Sequence, residues 1–112
     1  MAKIVGAKIQ ENVEYVREDG TTGVINKVEF RCVVKDIGSD KVGSDIARYT
    51  VSIEDLEAVF NVDQPIKNVK DFCKSILNKE CYIYSKPSVF DGRVSERLIE
   101  VVFAEIKYLN GE

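Results

Sequence analysis

Two-residue hydrophobic alternation runs through this chain and is interrupted by one helical period, an order that few small folds accommodate. From Lys3 to Val16, Val5, Ala7, Ile9, Val13 and Tyr15 fall on one side and Lys8, Gln10, Asn12 and Glu14 on the other. That pattern predicts a long half-buried strand. Arg17 to Gly23 follows, with Asp19-Gly20 supplying the positive φ of a hairpin turn. A second strand, Val24 to Lys35, carries Val24, Val28, Phe30, Cys32 and Val34 on one face and Lys27, Glu29, Arg31 and Lys35 on the other.

Residues 36–45 are rich in Gly, Ser and Asp and predict a loop. A third strand near Ile46 to Ile53 sets Ala47, Tyr49, Val51 and Ile53 against Arg48, Thr50 and Ser52. Ser52-Ile53-Glu54-Asp55 has the form of a helix start, and Leu56, Val59 and Phe60 supply an apolar stripe for a short helix. Asn68 then caps the clearest helix, in which Val69, Phe72, Cys73, Ile76 and Leu77 share a face, and Asn78 closes it in a left-handed conformation. Cys81 to Lys86 alternates as a fourth strand, Pro87 to Arg93 reads as a hairpin connection with a second Asp-Gly turn, and Val94 to Leu109 forms the last strand. Its middle, Leu98 to Ala104, is apolar on both faces and predicts a central or doubly covered strand.

The order β-β-β-α-β-β predicts one domain over residues 1–112, mainly β with one or two helices, built as an OB-like five-stranded barrel. At 112 residues the chain is long enough to bury a core without staples. Its first residues lead directly into a strand pattern with no signal-peptide core, and no apolar run spans a membrane. The three cysteines form no C-x-x-C pair, so neither a disulfide framework nor a zinc knuckle is indicated, and a reduced, cytoplasmic protein is expected. All three fall on apolar faces and are expected in the core.

The chain contains no histidine, which removes the commonest general base and metal ligand. The glycines fit no phosphate-binding motif, and the carboxylates sit at helix starts and hairpin edges. Neither an enzyme nor a metal or other cofactor is expected. What remains is a set of bases and rings on outward faces and hairpins: Tyr15, Arg17, Lys27, Arg31, Arg48, Tyr82, Tyr84, Lys86, Phe90 and Arg93. On such a barrel the rings stack bases at roughly 1–3 kcal/mol each and the cations meet phosphates. Against this stands a net charge of −3, with no global basic field. Tyrosine is also at home as rim packing in strands.

Residues 100–109, Glu100-Val101-Val102-Phe103-Ala104-Glu105-Ile106-Lys107-Tyr108-Leu109, resemble the closing strand of bacterial single-strand-binding proteins. Cys32-Val33-Val34-Lys35-Asp36-Ile37-Gly38 and Arg48-Tyr49-Thr50-Val51-Ser52-Ile53 are similar to the second and third strands of the helix-destabilising proteins of filamentous phages. The chain departs from the bacterial family in having no tryptophan and no glycine- and glutamine-rich tail. The resemblance therefore implies a compact phage- or plasmid-type protein of DNA replication, a homodimer that binds single-stranded DNA with low sequence specificity. The alternative is a small protein-interaction module, such as a phage-encoded inhibitor or assembly protein, on the same barrel. A carbohydrate-binding barrel, which needs rings without many cations, is a third expectation.

Overall fold

The computed structural model describes residues 1–35, 44–90 and 92–104. Five strands, β1 (Ala2–Val16), β2 (Thr22–Lys35), β3 (Ser44–Ser52), β4 (Glu80–Phe90) and β5 (Arg93–Phe103), form one sheet. Its spatial order is β1-β2-β3-β5-β4, and β4 pairs back onto β1, so the sheet closes in a ring. The hairpins β1–β2 and β4–β5 are antiparallel over long registers. The two remaining closures are short: Tyr49↔Glu96 and Thr50↔Arg97 join β3 to β5 in parallel, and Ala2↔Cys81 and Lys3↔Glu80 join β1 to β4.

The expected order β-β-β-α-β-β is corrected at the connection between the third and fourth strands, where both helices that the sequence offers are formed. The connection holds a 3-10 turn (Ile53–Asp55), α1 (Leu56–Val59) and α2 (Val69–Ser75), which changes the order to β-β-β-α-α-β-β. Each helical piece is too short to stand alone, and burial holds it. Leu56, Val59, Phe60, Cys73 and Ile76 all face the core. Phe60 is the hub, with ring centroids 5.3 Å from Phe30 and from Phe72 and 6.0 Å from Phe103. Asn68 caps α2 as expected, its Oδ1 accepting from the Asp71 N–H at 3.0 Å. Asn78 has φ 66° and donates its N–H to the Ile4 carbonyl at 2.7 Å. Ser52 precedes the 3-10 turn without a side-chain cap.

Three irregularities change which residues face inward. Ile4 pairs with Cys32 and Gly6 with Arg31, so Val5 is an extra residue that resets the alternation of β1. Ala2 and Ile4 are buried before it and Ala7 and Ile9 pack on the core after it, whereas Val5, expected among the apolar face, is exposed. A second shift lies between Gln10 and Val13, where Asn12 takes φ 54° and donates its N–H to Asn26 Oδ1 at 2.8 Å. A third makes Ile99 the extra residue of β5, between Leu98↔Ser85 and Glu100↔Tyr84. Leu98 and Val101 are buried while Ile99 and Val102 are exposed, so of the two expectations for this strand it is not covered on both faces but is central, paired with β3 on one edge and β4 on the other. β4 also extends as strand through Pro87, Ser88 and Val89, a stretch that the sequence assigns to a connection. Both Asp-Gly turns have glycine at positive φ, 89° at Gly20 and 76° at Gly92.

Cys32, Cys73 and Cys81 are buried free thiols, in agreement with the sequence. The predicted loop over residues 36–45 falls largely outside the described residues, as does the stretch of the last strand beyond Ala104.

Candidate functional site

Strand register brings the outward side chains of β1, β2, β3, β5 and β4 into rows. One row joins Gly6, Arg31 and Arg48, a second joins Lys8, Glu29, Thr50, Arg97 and Lys86, and a third joins Gln10, Lys27 and Ser52. Two like-charged pairs therefore sit directly opposite one another across strands, Arg31 against Arg48 and Arg97 against Lys86. Such pairs destabilise a sheet, whereas opposite charges there would stabilise it. Among the described residues neither Arg31 nor Arg48 is ion-paired, and Arg97 alone meets a carboxylate, Asp55, at 3.4 Å. Arg31 lies flat over Gly6, where a Cβ would come within 2.5 Å of its Nη2. The missing side chain at Gly6 is what gives the guanidinium its resting place.

A cleft of about 630 Å³ opens between the two hairpin arms above this surface. The first arm contributes Tyr15, Val24, Ile25, Asn26 and Lys27, the sheet Thr50 and Ser52, and the second arm Ser88, Ser95 and Arg97. Tyr15 is positioned by its cross-strand partner Gly23, whose hypothetical Cβ would lie 2.6 Å from the ring. The Arg17 guanidinium stands 5.3 Å from the ring centroid. Its Nη1 donates to the Thr22 carbonyl at 2.8 Å and to Thr21 Oγ1 at 3.3 Å. At this hairpin the Thr21 hydroxyl and N–H also hold the Asp19 carboxyl below its ordinary range.

Of the residues expected at a ligand surface, Tyr15 and Lys27 line the cleft and Arg31 and Arg48 are neighbours on the sheet beside it. Lys86 is opposite Arg97. Arg17 is engaged within its own turn. Tyr82 and Tyr84 are exposed, 48% and 56%, but lie on the part of β4 opposite Val102 and Glu100. In the ring β4 is paired with β1 and β5 and not with β2 or β3, so the register does not bring these two rings beside Arg31 and Arg48. The side chains of Phe90 and Arg93 lie outside the described residues. The sequence reading missed Arg97, Thr50, Ser52, Ser88 and Ser95. Arg97 falls just before the apolar middle of the last strand, and only the register across Ile99 places it beside Lys86.

Burial pushes the Cys32 thiol up to about 12, with the neighbouring Cys81 adding to the effect, and pushes Cys73 and Cys81 up to about 11. The Tyr49 hydroxyl is raised by burial first, then by Cys32 and Glu96. Among the described residues no cluster of acids and cysteines is arranged to hold a metal ion, and no helix is long and apolar enough to cross a membrane. No family model, curated protein or solved structure matches this chain.

Proposed function

We propose that the chain is an OB-like barrel that binds single-stranded DNA with low sequence preference, along the outer face of β2 and β3 and into the cleft between the hairpins. The observation that carries this reading is the pair Arg31 and Arg48, opposite one another and without a carboxylate partner among the described residues. A sheet that keeps two guanidinium groups side by side gives up some stability and gains a place for anions. The chain is acidic overall, yet Lys8, Lys27, Arg31, Arg48, Lys86 and Arg97 outnumber the acids on this face. A phosphate backbone responds to such a local field. Tyr15, held over Gly23, is the ring placed to stack a base there.

The test is titration of a fluorescent dT oligomer of about 20 nucleotides, longer than the roughly 4–16 that one OB fold covers. Binding that prefers the oligomer to duplex DNA of equal length and weakens with salt is the expected result. A second reading, a protein-interaction module on the same ring, is favoured by valines exposed along both arms: Val16 at 72%, Val24 at 54%, Val89 at 67% and Val94 at 69%. That module would leave the oligomer unbound at low salt.

A further inference from the structure

We propose that the Asp55 carboxylate occupies a phosphate subsite in the cleft and that a bound strand must displace it from Arg97. The inference rests on the nucleic-acid reading above and adds a residue that sets affinity from within the protein. Arg97 lines the cleft, and its outward neighbours in register are Thr50 on β3 and Lys86 on β4. Two cations at one place make an anion position; the Thr50 hydroxyl beside them donates to the Glu96 carbonyl at 3.5 Å. The present occupant of that position is Asp55, which ends the 3-10 turn leading out of β3, with one oxygen 3.4 Å from Arg97 Nη2.

The contact is long, and the two side chains are 49% and 42% exposed. An exposed pair of this kind is worth little and exchanges readily. A phosphate diester presents the same paired oxygens to the guanidinium, carries its charge at every nucleotide, and gains from Lys86 as well. Asp55 therefore offsets the Arg97 charge while the cleft is empty, and competes with ligand when it fills. The pair Arg31 and Arg48 has no such internal competitor among the described residues, so the two halves of the surface differ in how freely they accept phosphate.

The experiment is a double-mutant cycle on the full chain, with the same dT oligomer and a salt series for each protein. Asp55→Asn is expected to tighten binding by roughly 1.5- to 5-fold, the range of an exposed ion pair. Arg97→Ala is expected to weaken binding and to reduce the salt slope by about one. In the Arg97→Ala background, Asp55→Asn is expected to have little effect. Equal tightening in both backgrounds would mean that Asp55 acts only through general charge, and would overturn the competition. So would an unchanged affinity in Asp55→Asn. In either case the nucleic-acid reading stands, because the wild-type protein still binds. Failure of the wild-type protein to bind at low salt overturns that reading and this inference together. Thermal melts of the variants check that each is folded.

Discussion

Arg31 and Arg48 show how a single register decides what a side chain does. Each strand alone places its arginine outward, and the alternation of β2 and β3 makes that legible in the sequence. That the two arginines stand opposite one another follows only from the Lys27↔Ser52 to Lys35↔Ser44 pairing. Replacing both, Arg31→Ala with Arg48→Ala, is expected to lower the salt slope of oligonucleotide binding by about two. The melting temperature should hold or rise, because a like-charged cross-strand pair has been removed. A loss of both binding and fold would contradict this. Arg97 was not legible, because a bulge at Ile99 leaves no mark in composition and moves the alternation of β5 by one place. The thiols give a further expectation at this scale. Buried and held protonated, Cys32, Cys73 and Cys81 should resist alkylation at pH 8 in the native protein and react fully in denaturant, which mass spectrometry of the labelled chain reads directly.

At the scale of elements, caps and turns were the most readable parts. Asn68, Asn78, Gly20 and Gly92 act where their chemistry predicts, because each meets a local backbone requirement that no distant contact can change. Asn68→Ala should cost about 1 kcal/mol of stability in denaturant titration. The helical connection was largely readable: the apolar stripe of Leu56, Val59 and Phe60 and the Asn68-capped helix are both plain, and what the sequence does not show is that the Phe60 ring packs against three other rings. Phe60→Ala is expected to cost roughly 3–5 kcal/mol, by removing the contact that docks the whole connection. In the first hairpin, Gly23→Ala puts a methyl group where the Tyr15 ring and the Arg17 guanidinium now lie. The expected result is a displaced ring and weaker oligonucleotide binding in the same titration. Unchanged binding would remove Tyr15 from the stacking role.

Over the whole molecule, the distribution of charge matters more than its sum. Acids gather in the helical connection, at Glu54, Asp55, Glu57, Asp63 and Asp71, and at the first hairpin turn, at Glu18 and Asp19. On the outer face of β2 and β3 the bases Lys27, Arg31 and Arg48 outnumber the acid Glu29, an asymmetry that a net charge of −3 conceals. Stability should also respond to alkaline pH. The three thiols have folded values of about 11 to 12, above the ordinary 9.0, so the folded state favours their protonated form. Their contribution is fully present below about pH 9 and is lost as pH rises through the folded values. Denaturant midpoints measured from pH 8 to 11 should fall over the upper part of that range, and serine at these positions should flatten the decline.

The ring is closed by two narrow seams, each of two residue pairs, and one of them, Tyr49↔Glu96 with Thr50↔Arg97, runs beneath the cleft. A ring closed so thinly has its mechanical weak point where the ligand is proposed to lie. A strand laid from the Arg31–Arg48 side to the Arg97–Lys86 side would act as a clasp across that join, slowing amide hydrogen exchange along β3 and β5 more than in the hairpins that flank them.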